Sequence, residues 1–508
     1  MNKWLKRLGV FLAALLLVAV STFMVGVAWP VATLEPPRTE GPLAFVDVAV
    51  VDVAAGAVRT GQTVIVRGTQ IEAVGDAAEL AVPDQARRID GAGRFLMPAL
   101  WDMHTHVLAV TPLLNLPQYL AFGVTNVRDL NGCPQRGDPF VACAEDKQRW
   151  TDEALAGSRV GPRIISSASY LANGPRTLQR RPGLPAHFAT STPDEARAFV
   201  ESQAGAQEIK VYDRLPREAF LHLSAAARAA GKPLVGHRPH GVSAIEAAVH
   251  MKSMDHARFL LHESFDGSDA LREAADTPEW REDRRLMVDR HDPARAQAIF
   301  ETMRREGTWY VPTHLTRWAD AGADAPEVRE DPALRLAHPL MRRLLLEDLD
   351  ATVAQDPTPA GRQAYRDFYR KGLALTGEAH RAGVRILVGT DYFAPGLDVH
   401  RELEQLVLAG LSPAEALRAA TIGPAEYFGR LDAYGAVAEG LTADLLLLSA
   451  NPLEDVRHAQ RIEAVVFNGT LYDAEDITRV HAWIEGQAGS WTAAAKIIWS
   501  FVVSPVSY

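Results

Sequence analysis

Cysteine is nearly missing from this chain: Cys133 and Cys143 are the two among 508 residues. With no C-x-x-C pair, a metal site built on thiolates has no footing in the sequence. The two cysteines stand ten positions apart in a stretch with Gly and Pro. In an exported protein they can close a short loop as a disulfide; otherwise they are two free thiols. An excess of positive charge is missing too, since 53 Lys and Arg face 63 Asp and Glu for a net charge of −10. That balance argues against a nucleic-acid partner. Long apolar runs are missing from the body of the chain, and only its two ends depart from this.

At the first end, Lys3, Lys6 and Arg7 precede an uncharged stretch from Leu8 to Leu34, with Glu35 the next charge. Crossing a bilayer takes about 20 apolar residues. Residues 1–34 therefore read as a signal peptide, with Gly26 and Ala28 near a cleavage site, or as an uncleaved membrane anchor. The length of the run, and Trp29-Pro30 as a poor start for a mature chain, favour the anchor. Either reading places the catalytic part outside the cytoplasm, on the periplasmic or extracellular side, membrane-anchored or secreted. At the other end, residues 490–508 form an apolar tail whose core, Ala493–Val503, is too short to span a bilayer. Packing on the body, docking on a membrane surface and self-association are all compatible with it, and the oligomeric state is left open.

Between the ends, 508 residues allow more than one domain. Residues 43–94 alternate apolar and polar positions around Gly-containing turns, as short β-strands do. Residues 431–475 hold further strands, at Ala443–Leu448 and Ile462–Phe467. Neither set buries a sheet alone, so the simplest arrangement is a small composite β-sandwich domain made from both. Residues 95–430 alternate strands and helices, which implies parallel βα units. Strands read at 95–102, 124–128, 163–168, 208–212, 233–236, 253–255, 309–313 and 385–390 fit a TIM (β/α)8 barrel inserted in the sandwich. Its active site would gather at the carboxyl ends of the strands. The long charged connections 257–308 and 315–384 read as a mixture of lid and added surface helices.

The stretch LWDMHTHV at 100–107 carries His104 and His106 with one residue between. On a strand such residues share a face, so both imidazoles can reach one ion. Alone, H-x-H is a modest signal. Lys210, His237, His256 and Asp391 add weight, because each lies at or beyond the end of a later strand.

These segments resemble the metal-dependent amidohydrolase superfamily, in its imidazolonepropionase-like and prolidase-like branch. The resemblance covers about residues 43–475. It rests on MPALWDMHTH at 97–106, GVTNVRDL at 123–130, IKVYD at 209–213, VGHRPHGVSA at 235–244, SMDHA at 253–257, VGTD at 388–391 and HRELEQLVLAGLSPAEALRAAT at 400–421. Ala99 departs from it, at a place where the family commonly has glycine. The resemblance implies that His104, His106 and Asp391 hold one divalent metal and that His237 and His256 hold a second. Lys210 would bridge them as a carbamate formed with carbon dioxide. Zinc is the first choice of metal; iron, manganese and cobalt suit the same donors.

The implied activity is hydrolysis of an amide or peptide bond by a metal-activated hydroxide, with Asp391 as proton shuttle. A dipeptidase or prolidase-like action on a small linear amide comes first. Opening of a cyclic amide comes second, and a non-catalytic metal-binding barrel third. Tyr212, His240, His314 and Arg128 are candidates for substrate contact, Arg128 alternatively pairing with Asp129. His400 and Glu402 match the resemblance without an assignable role.

Overall fold

In this computed structural model the described residues are 3–30, 33–109, 112–134, 137–172, 190–275, 277 and 280–504. His187 lies outside them. The first strands are β1 (Leu43–Asp52), β2 (Ala57–Arg67), β3 (Gln70–Asp76), β4 (Arg87–Asp90) and β5 (Phe95–Pro98). β1 is antiparallel to β2 and slips register twice between Phe45 and Val50, where Asp47 takes a left-handed φ of 58°. Before the slip its other side pairs with β4, and after it with β5.

The chain then leaves this sheet. The sequence suggests one strand at 95–102; the structure breaks it at Pro98-Ala99. β5 stays in the first sheet, and β6 (Leu100–Thr105) opens a parallel series. The proline explains the break, since it has no N–H to continue a ladder. β7 (Val124–Asp129), β8 (Arg163–Ser167), β9 (Ile209–Val211), β10 (Leu234–Gly236), β11 (Ser253–Asp255) and β12 (Trp309–Val311) follow.

Parallel ladders join β6 to β7, β7 to β8, β9 to β10 and β11 to β12. Single bridges connect the pieces: Ala168 with Glu208, Leu234 with Met251, and Tyr310 with Ile386. Residues 385–390, expected as an eighth strand, carry only that bridge. The Val388 N–H, which a ladder to β6 would use, donates instead to Ala419 O, and Trp101 N–H donates to Ala420 O. Two bonds still tie this segment to β6, Met103 N–H to Val388 O and Asp391 N–H to His104 O, both 2.9 Å.

The chain returns to the first sheet through β13 (Leu445–Leu448), β14 (Ile462–Phe467) and β15 (Thr470–Tyr472). The order is β15-β14-β13-β5-β1-β2-β3, with β4 on β1. In place of two separate sheets, a single connected sheet bends at β1 over one core that includes Phe45, Val64, Leu96, Leu445 and Val466.

The long connections are helical, including Pro293–Glu306, Pro339–Gln355 and Pro359–Arg381. Helix Lys3–Ala28 contains a 25-residue span with mean hydropathy 2.6, long and apolar enough to cross a membrane. The tail forms helix Trp491–Val503 and packs on the end of that first helix. The Phe23 and Trp499 rings lie 6.5 Å apart, and Lys496 donates to Val27 O. Cys133 and Cys143 are joined as a disulfide.

Candidate metal centre

His104 lies fully buried one residue before the end of β6, and His106 just beyond it has its ring parallel at 5.4 Å. Their Nε2 atoms lie 3.4 Å apart. Asp391 Oδ1 stands 3.7 Å from the first and 3.3 Å from the second, so one donor atom from each residue falls within 4.8 Å of the others. Lys210, in β9, sends Nζ to within 3.4 Å of His104 Nε2. His237 and His256, just past β10 and β11, face each other through Nε2 at 2.9 Å. His256 Nδ1 is 3.7 Å from Asp391 Oδ2, which links the two groups.

Local backbone geometry produces this convergence. His256, Thr313 and Asp391 end three successive parallel segments with left-handed φ values of 72°, 47° and 46°. Such values are uncommon without glycine and turn each side chain out of strand alternation. Two glycines admit the long side chains. A Cβ at Gly236 would stand 2.7 Å from Lys210 Cδ, and one at Gly389 would stand 2.7 Å from His104 Cβ.

Burial holds all four histidines below the ordinary imidazole value, His106 at about 3, which keeps them in the neutral form that binds metals. Burial also lowers the Lys210 ammonium from its usual range and pushes Asp391 up to about 6. Neutral imidazole nitrogens crowded edge to edge beside a carboxylate make a donor set that a divalent cation satisfies. Asp255 Oδ2 lies 3.1 Å from His104 Nδ1, the arrangement that leaves Nε2 free for an ion. Thr313 Oγ1 stands 2.8 Å from His256 Nδ1. His237 differs, since its Nδ1 faces Arg258 Nη2 at 3.3 Å.

The other sequence candidates divide. The Tyr212 ring lies against His237 at 4.2 Å, on the edge of the centre. His240 stacks on Trp280 at 4.2 Å and lines a cleft of about 680 Å³ that Asp213 and Arg258 share. His314 does not face the donors. It is fully buried, with Nε2 3.0 Å from Thr376 Oγ1 and its N–H donating to Glu402. Arg128 does not reach substrate space either, because its donors serve Glu208 Oε2 at 2.8 Å, Met103 O and Ser253 Oγ. Its expected partner, Asp129, takes Lys147 instead.

Sequence reading missed Asp102, Asp255 and Arg258. Asp102 is buried and accepts from Thr390 Oγ1 at 2.7 Å, tying β6 to the segment that carries Asp391. A signal existed for Asp255: S-M-D in a strand buried on both faces puts Ser253 and Asp255 on one side.

The profile of the Amidohydrolase family matches residues 95–472, most of the chain. The chain belongs to the amidohydrolase family. It is a hydrolase acting on carbon–nitrogen bonds. In sequence this family member is similar to ochratoxinase of Aspergillus niger, with 40% identity over 105 residues. The match spans 20% of this chain and 21% of that enzyme. In structure it resembles bottromycin amidohydrolase, with a TM-score of 0.63 and 24% identity over 89% of this chain and 92% of that one. A Xaa-Pro dipeptidase gives a TM-score of 0.60 and 17% identity over 85% of this chain and 100% of that one. At such identities these two likenesses speak for the fold.

Proposed function

We propose that this amidohydrolase is metal-dependent and cleaves the amide bond of a small linear substrate, a dipeptide or an N-acyl amino acid. The observation that carries the reading is the convergence of His104, His106 and Asp391 donor atoms, with Lys210 Nζ 3.4 Å from His104 Nε2. We take the ring of eight parallel segments as a TIM barrel whose carboxyl ends form this centre. His104, His106 and Asp391 would hold one divalent ion, zinc first, and His237 and His256 would hold a second, with Lys210 contributing as a carbamate. Ions so held lower the pKa of a coordinated water from 15.7 to about 7 and polarise the scissile carbonyl.

The chain's own groups do the rest. Asp391 accepts the proton of the attacking water and passes it to the leaving nitrogen, a role suited to a carboxyl that burial raises to about 6. Asp255 keeps the His104 tautomer fixed. Burial favours the neutral Lys210 amine, the form that adds carbon dioxide. Tyr212 beside His237, and the cleft lined by His240 and Arg258, offer the leaving amine a polar exit. Helix Lys3–Ala28 is read as an anchor, with the body outside the cytoplasm. The Cys133–Cys143 disulfide supports that reading, because such bonds persist in oxidising compartments.

The test is elemental analysis of protein purified without chelator and with bicarbonate, alongside turnover of dipeptides and N-acyl amino acids. About two ions per chain are expected, with turnover lost on chelation. Asp391→Asn should lower kcat/KM by roughly 10²–10⁴ with an unchanged unfolding midpoint. One ion per chain would remove Lys210 as bridge, and none after reconstitution would leave a non-catalytic barrel.

A further inference from the structure

The walls beside His106 lead from the metal donors toward the two terminal helices. A cavity of about 270 Å³ opens at His106 between Leu108, Leu336, Met341, Leu345 and Phe393, with Arg342 as a charged lining residue. A cavity of about 150 Å³ suffices for benzene, so this one admits a larger apolar group. One wall continues outward through Leu108, which is bridged to Val141. In the same loop the Phe140 ring lies 5.0 Å from that of Phe501, and Asp138 accepts from Ser504 Oγ at 3.0 and 2.9 Å. Another lining residue, His338, accepts the Leu340 N–H through Nδ1 at 3.1 Å. The Leu108 wall therefore rests on helix Trp491–Val503 and the residue that follows it.

That helix is in turn pressed against the last turns of Lys3–Ala28. A Cβ at Gly26 would meet the Trp491 ring at 2.5 Å, so the close approach depends on glycine. Beyond that contact the helix is apolar and exposed, Ile498 at 43% and Val502 at 73%. Trp29, 53% exposed, directly follows the neighbouring helix. Tryptophan at the end of a spanning helix marks the level of the lipid headgroups. A short apolar helix at that level lies in the interface with its apolar face toward the acyl chains. The apolar pocket thus adjoins the metal donors at His106, and its Leu108 wall leads toward the apolar terminal helix.

We propose that this pocket receives the acyl chain of an amphiphilic amide, a long-chain N-acyl amino acid that enters from the membrane. The scissile carbonyl then lies at His106 and Asp391, and the amino-acid end faces the polar cleft of Asp213, His240 and Arg258. The proposal rests on the amide-hydrolase reading and on the anchored helix, and it adds the substrate class and its route.

The test uses the full-length, metal-loaded protein in phosphatidylcholine vesicles, with N-acetyl-, N-octanoyl-, N-dodecanoyl- and N-hexadecanoyl-glycine. Catalytic efficiency should climb with chain length by up to about fourfold per methylene buried, until the pocket is full. Leu345→Trp, which fills the pocket, should erase the dodecanoyl-to-acetyl ratio. Paired replacement of Ile498→Asp and Val502→Asp should reduce the advantage of vesicles over detergent micelles for the dodecanoyl substrate.

Turnover independent of chain length would overturn the pocket while leaving the hydrolase standing. A length preference that is equal in micelles and vesicles, and indifferent to the paired replacement, would overturn the bilayer route. Calorimetric binding of N-dodecanoyl-glycine that Leu345→Trp abolishes, without turnover of any amide, would uphold the pocket and refute the hydrolase.

Discussion

Asp255 is placed to decide which nitrogen of His104 is left for a metal, its carboxylate standing 3.1 Å from Nδ1. Asp255→Asn keeps the shape and removes the charge. Metal affinity should fall by about 10- to 100-fold in a chelator-competition titration, and an unchanged affinity would refute the orienting role. Arg128 poses the opposite problem. It is fully buried with Glu208 at 2.8 Å, so Arg128→Ala leaves an uncompensated carboxylate in the interior. A loss of about 3–5 kcal/mol in denaturant unfolding is expected, whereas a catalytic defect at full stability would restore a substrate role. The contrast explains what sequence could tell at this scale. His104, His106 and Asp391 announce themselves through spacing and company. Arg128 looks equally functional on paper, since nothing local in GVTNVRDL reveals Glu208, 80 positions away.

Among elements, the carboxyl ends of the parallel segments matter most, and one of them is fastened by Glu402. Its oxygens accept from the N–H groups of His314 at 2.7 Å and Leu315 at 3.1 Å, which fixes the turn after β12. Burial raises its carboxyl to about 8. A carboxyl raised on folding keeps its proton in the folded state after the unfolded chain has lost its own. Its contribution therefore makes stability fall as pH rises from about 4.5 to about 8, by at most about 1.4 kcal/mol per pH unit. Glu402→Gln should flatten that slope in unfolding curves taken across the window; an identical slope would move the effect to another group. The order of strands was legible from alternation and turn residues. The split of 95–102 was not read although Pro98 marks it, because FLMP and LWDMHT run on without a turn and are buried almost throughout, each in a different sheet. The weak eighth segment was also invisible, since the intruding carbonyls belong to Ala419 and Ala420, some thirty residues later.

For the molecule as a whole, the two ends of the amidohydrolase region are one structural unit. Each end alone carries too few strands to cover its own apolar face, and that shortage made the composite sheet readable in the sequence. β5 pairs with β1 on one side and with β13 on the other, so the seam between the ends runs through the middle of the sheet. The same seam is tied to the parallel region. Asp444 accepts from Arg163 Nη1 at 2.8 Å and from Asn126 Nδ2 at 3.1 Å, and its carbonyl takes the Ala99 N–H at 2.9 Å. Ending the chain at residue 430 would expose Leu96 and Phe45 to water and leave Arg163 buried without its carboxylate. Burying a large aliphatic or aromatic side chain contributes about 1.5–3 kcal/mol, and a domain holds only about 5–15 kcal/mol in reserve. Losing β13–β15 should therefore abolish cooperative unfolding of the parallel region as well, although every proposed metal ligand precedes the cut. Calorimetry of the truncated chain against the full chain reads this directly: a sharp transition near the original midpoint would mean that the parallel region folds alone and that the sheet is an appendage.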